Sequence, residues 1–401
     1  LDHNLFFTII FLNVYGIIMV YSASYNNSIT KNYSYFMNNQ LKNVIFGFII
    51  MIVASYINYH RIVRFGWGWF WLFLAVCIIA ALKTPLAHSE LGATRWIKLG
   101  SISFQAAEPI KAAIIIFFAY YVSYWGLNRW YNQVLACLLA IALLGFLFFF
   151  SNNLSTVIVL FCICAVIILS SVKKPDLYWY FLIGLALVII AAIFVTVYLL
   201  MHQGAENFRF VRIRAWLHPE EYAADEGLQA MQARYAIGAG GFWGKGLGQS
   251  LIKFKLSYSY NDFILAIICE ELGVFGVIVM MTLFGYLLYR IYKIAQNAWD
   301  IEGKVLAIGV FTQIALQLLI NVMVVTSVIP TTGVTLPFFS AGGTSVVFLL
   351  AELGMVLNVD KYAKERRFFE EAERHVAQME QRGGIGAAGW RRRLDSARTH
   401  R

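Results

Sequence analysis

Long apolar stretches alternate with short polar connections along most of the chain. Most of these stretches have about 17 to 25 residues, the length of helix that crosses the hydrocarbon core of a bilayer. Ten occur, the last of them short, at residues 5–22, 41–57, 65–83, 105–125, 134–150, 154–172, 177–201, 263–289, 304–329 and 346–358. The pattern predicts an all-α polytopic membrane protein with about ten transmembrane helices.

Two segments interrupt this pattern. Residues 202–262, between the seventh and eighth apolar stretches, form a large loop that is rich in glycine and in basic side chains. Residues 330–345, PTTGVTLPFFSAGGTS, precede the tenth stretch and hold two prolines and three glycines around an apolar centre. Irregular backbone at membrane depth is tolerated only where it is buried in protein or lines a cavity. We therefore expect a re-entrant segment there, with a simple helix-breaking hairpin as the alternative.

Composition agrees with a membrane protein. The chain has 401 residues, of which 60% are hydrophobic and only 13% are charged, and its mean hydropathy is +0.66. A soluble domain needs more polar residues to cover its surface. All five cysteines lie in apolar stretches, so we expect them to be core residues rather than a disulfide framework.

The distribution of Lys and Arg predicts the orientation. If the N-terminus is cytoplasmic, the inner connections carry more basic residues than the short outer ones, and ten spans place both termini inside. We expect a membrane domain over residues 1–359 and a basic cytoplasmic tail over residues 360–401, with eleven Lys or Arg and largely disordered. The alternative for the tail is attraction to anionic lipid or to a partner.

The large loop would then face outward. Its glycine-rich run AIGAGGFWGKGLG at 236–248 meets neither the P-loop nor the dinucleotide pattern, although backbone amides in such a turn can still bind an anion. The basic residues Arg212, Arg214 and Lys245 suit an anionic ligand, and incidental solvated charge is the alternative. Scattered histidines and unpaired cysteines predict no metal site.

Ionisable residues at the ends of apolar stretches are the candidate site. Glu108 and Lys111 stand three residues apart and share a helix face, so they can pair. Charge in a membrane segment is expensive and usually faces a cavity, although a helix-locking salt bridge is the alternative. Arg95 lies shortly before them on the same outer side, and Asp262 lies at the outer mouth of the eighth stretch.

Two more acids follow Asp262 along the same stretch. Glu270 and Glu271 lie roughly two turns further on, about 12 to 14 Å along a helix axis. Adjacent helical residues also point about 100° apart. We therefore expect these two acids to be structural or cavity-lining, and Asp262 to be the reactive carboxylate.

An enzyme that faces outward has no ATP or nicotinamide, so its substrate must carry its own activation. A lipid-linked sugar diphosphate would suit both the bilayer and the basic loop. One carboxylate could take the proton from an acceptor sugar hydroxyl as it attacks the anomeric carbon, similar to the base step of inverting glycoside chemistry. Arg or Lys side chains would stabilise the departing diphosphate. No cofactor is evident, and a divalent cation that escorts the diphosphate would leave no sequence motif.

Four ordered motifs resemble one family. They are RWIKLGSISFQAAEPIK, GLQAMQARYAIGAGGFWGKGLGQSLIKFK, NDFILAIICEELGVFG and NVMVVTSVIPTTGVTLPFFSAGGTS. Together they are similar to the SEDS family of FtsW, RodA and SpoVE over nearly the whole chain up to about residue 360. The resemblance implies a peptidoglycan glycosyltransferase of the bacterial cytoplasmic membrane that polymerises lipid II at the outer face. The implied partners are a class B penicillin-binding transpeptidase and other divisome membrane proteins, with no nucleic acid.

The resemblance also implies roles for individual residues. The family's essential aspartate falls on Asp262, its glutamate and lysine on Glu108 and Lys111, and its Arg-Trp-Ile arginine on Arg95. Its glycine turn falls on residues 340–345, which adds Ser340, Gly342 and Gly343 to the candidate substrate-binding residues. The chain departs from the family where Ala106 and Ala107 replace Pro-Ser, where Asn153 replaces an aspartate and where Ala341 replaces a tyrosine.

The resemblance is closest to the FtsW and SpoVE branch, which favours a role in cell division. Three alternatives stay open at this point. They are a RodA-type polymerase for cell elongation, a flippase that moves a lipid-linked precursor across the membrane, and a non-catalytic scaffold for a transpeptidase.

Overall fold

The computed structural model describes residues 2–24, 35–85, 87–90, 93–99, 102–151, 153–172, 208–219, 221, 226–254, 261–341, 343–381 and 390. The helices within these residues are α1 His3–Ser24, α2 Tyr35–Tyr56, α3 Tyr59–Val63, α4 Trp69–Ala81, α5 Ala107–Trp125, α6 Trp130–Ser151, α7 Leu154–Ser171, α8 Phe208–Leu217, α9 Glu226–Gly240, α10 Ile264–Asn297, α11 Ile301–Val325 and α12 Thr344–Gln381. Short 3-10 turns cover Phe65–Gly68 and Ile252–Phe254.

Helices long and apolar enough to cross a bilayer dominate this fold. Six helices meet that description in the described part of the chain: His3–Ser24, Phe36–Tyr56, Trp130–Ser151, Leu154–Ser171, Ile264–Asn297 and Ile301–Val325. They correspond to the first, second, fifth, sixth, eighth and ninth predicted spans. The protein is therefore a multi-pass membrane protein with a polytopic helical fold, as predicted.

The remaining predicted spans differ from this simple picture. The third one is a shorter apolar helix, Phe65–Ala81, whose first turn is irregular because Gly66 and Trp67 both have a φ of 59°. The fourth and tenth predicted spans fall on α5 and α12. The seventh, residues 177–201, lies outside the described residues. The total of ten spans stays a prediction.

A small antiparallel sheet stands between α4 and α5. Its strands are β1 Ala87–Glu90, β2 Ala93–Leu99 and β3 Ile102–Gln105, paired in the order β1-β2-β3. Trp96 pairs with Gln105, and Lys98 pairs with Ser103. The sequence predicts no strand in this region, while the helical class of the fold is confirmed. Apolar stretches long enough for a span do not reveal strands of four to seven residues.

The helices pack around a polar centre near one end of α11. In the described residues, α12 packs along α2, while α10 packs against both α1 and α11. α11 also contacts α5 and α7, and so it occupies the middle of the bundle. This arrangement brings the start of α10, the end of α11 and the start of α5 to the same region.

The segment 330–345 is irregular backbone held between helices. The side chains of Leu336, Phe338 and Phe339 are buried. The Phe338 carbonyl lies so close to α1 that a Cβ at Gly16 would stand 2.3 Å from its oxygen. This close approach explains the glycine, since any side chain there would displace the segment. Burial in protein satisfies the condition for irregular backbone at this depth, and re-entry from the membrane surface stays a prediction.

Helices occur in the large loop and in the first part of the tail. The helices α8 and α9 lie within residues 202–262, and α9 packs against α10. Trp216 of α8 donates its indole N–H to the Ser327 carbonyl at 2.8 Å, which ties α8 to the turn after α11. α12 continues to Gln381, well beyond the predicted end of the membrane domain at residue 359. Most of the remaining tail lies outside the described residues.

Candidate active site

Asp262 lies in the turn that leads into α10 and is partly buried. The side-chain nitrogen of Asn321, on α11, donates to the Asp262 carbonyl at 2.9 Å and to the Val334 carbonyl at 3.0 Å. Asn321 is fully buried. The turn with the predicted base is therefore fixed to α11 and to the segment 330–345.

Ser340 makes a second connection to the same turn. Its hydroxyl donates to the Asn261 carbonyl at 2.9 Å and accepts the Leu336 N–H at 2.7 Å. Ser340 is one of the residues predicted to bind substrate, and its hydroxyl makes hydrogen bonds to backbone groups. Gly343 follows with a φ of 52°, whereas Gly342 lies outside the described residues.

Glu108 and Lys111 form the ion pair that their spacing predicted. The Lys111 ammonium lies 2.9 Å from Glu108 Oε1, and both side chains are buried at the start of α5. They line a cavity of about 30 Å³ together with Gln105, Asn153, Thr156, Gln317, Val334 and Thr335. A cavity of this size holds about one or two water molecules.

Val334 connects this cavity to Asp262. It lines the cavity, and its carbonyl accepts the same Asn321 side chain that binds the Asp262 carbonyl. The structure therefore brings together Asp262, the Glu108–Lys111 pair and the segment 330–345. Their roles toward a substrate stay predictions.

Polar residues of α11 were missed by the sequence analysis. Gln313, Gln317 and Asn321 are buried and lie four residues apart, so they share one helix face. Gln313 donates to Glu352 of α12 at 2.8 Å, and Glu352 is also buried. The spacing of amides in an apolar helix and the lone acid in the tenth apolar stretch were the available signals. Together these residues extend the polar centre toward the interior of the bundle.

The two acids that follow Asp262 hold the glycine-rich loop. Glu270 accepts the Lys245 ammonium at 2.8 Å and the Ser250 hydroxyl. Glu271 accepts the Ser22 hydroxyl of α1 and lies 3.6 Å from the Lys253 ammonium. Both carboxylates are fully buried, in agreement with the structural interpretation of these acids.

The loop backbone also contacts α10 directly. The amides of Lys245 and Gly246 donate to the carbonyls of Glu270 and Glu271 at 3.0 and 2.9 Å. α10 can offer these carbonyls because its helix breaks at Gly273, where φ is 65° and ψ is −163°. These amides bind protein, so an anion at this turn would have to use other donors.

The other predicted cations lie on three parts of the chain, namely β2, α8 and the glycine-rich loop. Arg95 lies on β2 and Arg212 on α8, and the side chains of both lie outside the described part of the structure. Arg214 also lies on α8 and is partly buried. Lys245 is the cation of this group with a described contact, since its ammonium pairs with Glu270. Binding of substrate by these four residues stays a prediction.

A cluster of a histidine and two acids lies at the opposite end of α11. His60 of α3 lies 2.5 Å from Asp300 and 3.7 Å from Glu302, and the ligand atoms of the three residues lie within 4.8 Å of one another. Protein donors already bind this cluster: Tyr59 and the Gly303 amide donate to Asp300 at 2.8 Å, and Arg64 donates to Glu302 at 2.9 Å. The arrangement is that of a hydrogen-bonded connection between α3 and α11.

The hydrogen bonds of this cluster also shift the pKa of the Asp300 carboxyl. Burial alone would raise the pKa of the Asp300 carboxyl, but hydrogen bonds from His60, the Gly303 amide and Tyr59 outweigh burial. The pKa of Asp300 therefore lies below its ordinary value of 3.8. Burial and the neighbouring Asp300 raise the pKa of the Tyr59 hydroxyl, which stays a donor.

Known proteins are similar in sequence to this chain over most of its length. The probable peptidoglycan glycosyltransferase FtsW of Trichlorobacter lovleyi is 33% identical over 370 residues, which cover 89% of this chain and 92% of that protein. Stage V sporulation protein E of Bacillus subtilis is 34% identical over 370 residues, which cover 89% of this chain and 96% of that protein.

Solved structures share the architecture. A chain from work on the structural coordination of polymerization and crosslinking by a peptidoglycan synthase complex superposes with a TM-score of 0.75 at 22% identity, over 90% of this chain and 98% of that one. The rod shape determining protein RodA of Thermus thermophilus superposes with a TM-score of 0.64 at 21% identity, over 90% of this chain and 96% of that one. At these identities the likeness supports the fold alone.

The family model for cell cycle proteins of the FtsW, RodA and SpoVE type matches residues 2–365. That range includes each of the four sequence motifs and every candidate residue named above. The chain belongs to the FtsW/RodA/SpoVE family of cell cycle proteins.

Proposed function

We propose that this protein is a peptidoglycan glycosyltransferase that polymerises lipid II into glycan strands at the outer face of the bacterial cytoplasmic membrane. The observation that carries the proposal is the link from the Asp262 turn, through Asn321 and Val334, to the cavity at Glu108 and Lys111. Relatives named as probable peptidoglycan glycosyltransferases support it, since they match nearly the full chain.

In this reaction Asp262 is the general base. Its carboxylate takes the proton from the acceptor sugar hydroxyl as the hydroxyl oxygen forms a bond to the anomeric carbon of the donor. The bond from that carbon to the diphosphate oxygen breaks, and undecaprenyl diphosphate leaves with the electron pair. Attack from the face opposite the diphosphate inverts the configuration of the anomeric carbon, as in inverting glycosidases.

Cationic side chains would stabilise the departing diphosphate in place of a general acid. Lys111 is the candidate with the clearest environment, because it lines the cavity and Glu108 fixes its ammonium. Arg95, Arg212, Arg214 and Lys245 are the further candidates, and Glu108, Gly342 and Gly343 would complete the binding surface. Ser340 would contribute through the backbone that its hydroxyl binds. Lys245 would have to exchange its contact with Glu270 for the diphosphate.

The proposal needs no organic cofactor. A divalent cation that arrives with the diphosphate would add to the stabilisation of negative charge. The polymerisation rate after removal of metal with EDTA, compared with the rate after addition of Mg²⁺, measures how far the reaction depends on that cation.

We further propose a role in septal wall synthesis, with both termini in the cytoplasm. The division role follows the names of the FtsW relatives, and the expected partners are a class B penicillin-binding transpeptidase and other divisome membrane proteins. The structural neighbour from a complex that coordinates polymerization and crosslinking supports such a partner. Depletion of the protein should give filaments if it acts in division, and rounded cells if it acts in elongation.

A flippase for a lipid-linked precursor is the second candidate function. Glu352 favours it, because it is a buried acid inside the bundle that accepts a hydrogen bond from Gln313. Transporters bind their substrates near the middle of the membrane. Detergent micelles separate the two functions, since flipping needs a sealed bilayer and polymerisation does not.

The decisive test is polymerisation of lipid II by the purified full-length chain together with its transpeptidase partner. We expect wild-type protein to form glycan polymer in detergent and the isosteric variant Asp262→Asn to lose at least about 100-fold in rate, the share that general base catalysis typically contributes. Asp360→Asn is the matched control, because Asp360 lies on α12 and pairs with Lys364. Polymer formation by Asp262→Asn at the wild-type rate would contradict the assignment of the base.

A further inference from the structure

We propose that Asn321 and Ser340 are positioning residues that set the direction of the Asp262 side chain. The inference deepens the proposed function and rests on it, because it takes Asp262 as the base. Neither side chain is assigned a contact with the reacting atoms. Each one instead binds a backbone carbonyl next to the Asp262 side chain.

Asn321 holds the carbonyl that follows the Asp262 side chain. Its amide nitrogen donates to the Asp262 carbonyl at 2.9 Å and to the Val334 carbonyl at 3.0 Å. A carbonyl oxygen can only accept, so these two partners determine which end of the amide faces them. Both N–H groups are therefore committed, and one fully buried side chain of α11 joins two separate stretches of backbone.

Ser340 holds the carbonyl that precedes the Asp262 side chain. Its hydroxyl proton goes to the Asn261 carbonyl at 2.9 Å, while its oxygen accepts the Leu336 N–H at 2.7 Å. The Ser340 side chain is buried. Because a carbonyl oxygen can only accept, the hydroxyl must be the donor in its contact with Asn261.

These two carbonyls belong to the two peptide planes that flank the Asp262 Cα. The Asn261 carbonyl fixes the plane on one side, and the Asp262 carbonyl fixes the plane on the other. Because each peptide unit is planar, holding both planes leaves little freedom in φ and ψ of Asp262. Those two dihedrals determine the direction of the Cα–Cβ bond, and hence where the carboxylate can reach.

The start of α10 lacks the usual alternative way to fix this turn. Phe263 is the N-cap residue and, in the described structure, provides no side-chain cap hydrogen bond. The Ala266 N–H donates to the Phe263 carbonyl at 2.9 Å, which closes the first turn only after Asp262. Asn321 and Ser340 act instead on the two carbonyls beside the Asp262 Cα, before the first helical turn.

The test compares Asn321→Ala, Asn321→Asp and Ser340→Ala in the full-length chain with its transpeptidase partner. A displacement of about 1 Å at a catalytic group can cost roughly 100-fold in rate. We expect each variant to lower kcat for lipid II polymerisation by about 10- to 100-fold with KM changed less than about twofold. Asn321→Asp keeps the side-chain shape and removes both N–H donors, so its loss cannot come from a cavity.

Asn13→Ala is the matched control. Asn13 is another buried asparagine, and its amide donates at 2.8 Å to the Ile9 carbonyl within its own helix, α1. We expect this variant to lose thermal stability to the same extent as Asn321→Ala while its kcat stays close to that of wild type. The inference is overturned if Asn321→Ala and Ser340→Ala keep a kcat within about twofold of wild type. It is also overturned if Asn13→Ala loses as much kcat as Asn321→Ala does.

Hydrogen exchange provides a readout that does not need the proposed reaction. We expect the amides of Asp262 and Leu336 to exchange faster in Ser340→Ala than in wild type. The Asp262 amide shares a peptide unit with the Asn261 carbonyl, and the Leu336 amide loses its acceptor. Unchanged exchange at both amides would overturn the inference even if the protein polymerises lipid II. Conversely, a wild-type chain that forms no polymer would refute the proposed function. Faster exchange in Ser340→Ala would still show that Ser340 fixes the backbone at Asp262.

Discussion

Glu108 and Lys111 form a buried ion pair that also lines a cavity. Both side chains are buried and lie 2.9 Å apart, so each one neutralises the other in a place where a lone charge is costly. The same Lys111 lines the cavity that connects to the Asp262 turn. A salt bridge needed only for folding would tolerate exchange of the two charges, whereas a cation that binds diphosphate would not.

Reversing the pair separates these purposes. The single variants Glu108→Lys and Lys111→Glu should each lose about 3 to 5 kcal/mol of stability, because each places two like charges together in a buried site. The double variant should recover most of that stability, apart from about 0.3 to 1 kcal/mol for moving the positive charge closer to the N-terminus of α5. Its polymerisation rate should stay about 100-fold below wild type, as expected for a lost transition-state contact.

Thermal unfolding and lipid II polymerisation of the three variants check this prediction. The double variant serves as its own folding control, since it retains both residue types. Recovery of polymerisation together with stability would mean that Lys111 acts only as a structural partner of Glu108.

At the scale of single residues, sequence spacing predicted contacts within one helix and missed contacts between elements. The pairing of Glu108 with Lys111 follows from their separation of three residues, which places them on the same face of one helix. Asn321 and Asp262 are 59 residues apart in sequence, and no spacing rule relates them. The same holds for Lys245, whose partner Glu270 belongs to another element.

Among the elements, α10 departs most from a regular helix. It extends from Ile264 to Asn297 but breaks at Gly273, where φ is 65° and ψ is −163°. Only glycine adopts this backbone conformation without strain. A Cβ at Gly273 would also lie 2.4 Å from the amide nitrogen of Gly244 in the glycine-rich loop. The break therefore lets the loop approach the helix, about three turns away from Asp262.

Gly273→Ala should destabilise the protein and reduce its activity. Backbone strain of this kind costs about 1 to 3 kcal/mol, and the clash with Gly244 would also displace the loop that Glu270 and Glu271 hold. Gly285→Ala is the matched control on the same helix, because a Cβ there meets nothing within 4 Å. We expect that control to be neutral or stabilising by up to about 1 kcal/mol, from helix propensity.

Thermal unfolding of both variants, followed by the polymerisation assay, distinguishes them. Equal stability of Gly273→Ala and Gly285→Ala would show that the break is not needed to seat the loop.

Apolar length predicted the membrane-spanning elements well and the others poorly. The apolar stretches predicted α1, α2, α6, α7, α10 and α11, because an apolar run of this length is typical of a helix that crosses a bilayer. They could not find the sheet β1-β2-β3 or the helices α8 and α9, whose short polar sequences look like loop. The break at Gly273 was also hidden, since one glycine in an apolar run does not reveal its dihedral angles.

Across the whole molecule, α10 and α11 connect two polar clusters that serve different purposes. Asp262 precedes α10 and is bound by Asn321 near the end of α11. Asp300 lies between the other end of α10 and the start of α11, where it accepts hydrogen bonds from Tyr59 and His60 of α3. A helix of 34 residues extends about 50 Å at 1.5 Å per residue. The two clusters are therefore far enough apart to be altered independently.

The Asp300 cluster should govern stability at acidic pH without affecting catalysis. Hydrogen bonds from His60, the Gly303 amide and Tyr59 outweigh burial and hold the pKa of Asp300 below its ordinary value of 3.8. A carboxyl whose pKa is lower in the folded state contributes stability that is fully present above the unfolded value and is lost as pH falls through the folded value. Wild-type protein should therefore lose stability as pH falls below about 4, and Asp300→Asn should lack that part of the decline.

Thermal unfolding of wild type and Asp300→Asn between neutral and acidic pH measures this difference. The N-cap of α11 is retained by asparagine, which is as good a capping residue as aspartate, so the comparison isolates the charge and its bonds to His60 and Tyr59. At neutral pH, Asp300→Asn should be less stable than wild type by about 1 to 3 kcal/mol, the usual contribution of hydrogen bonds to a charged group. Its kcat and KM for lipid II should match wild type, because the Asp262 cluster is unchanged. A loss of kcat equal to that of Asn321→Ala would show instead that α10 and α11 transmit changes from one cluster to the other.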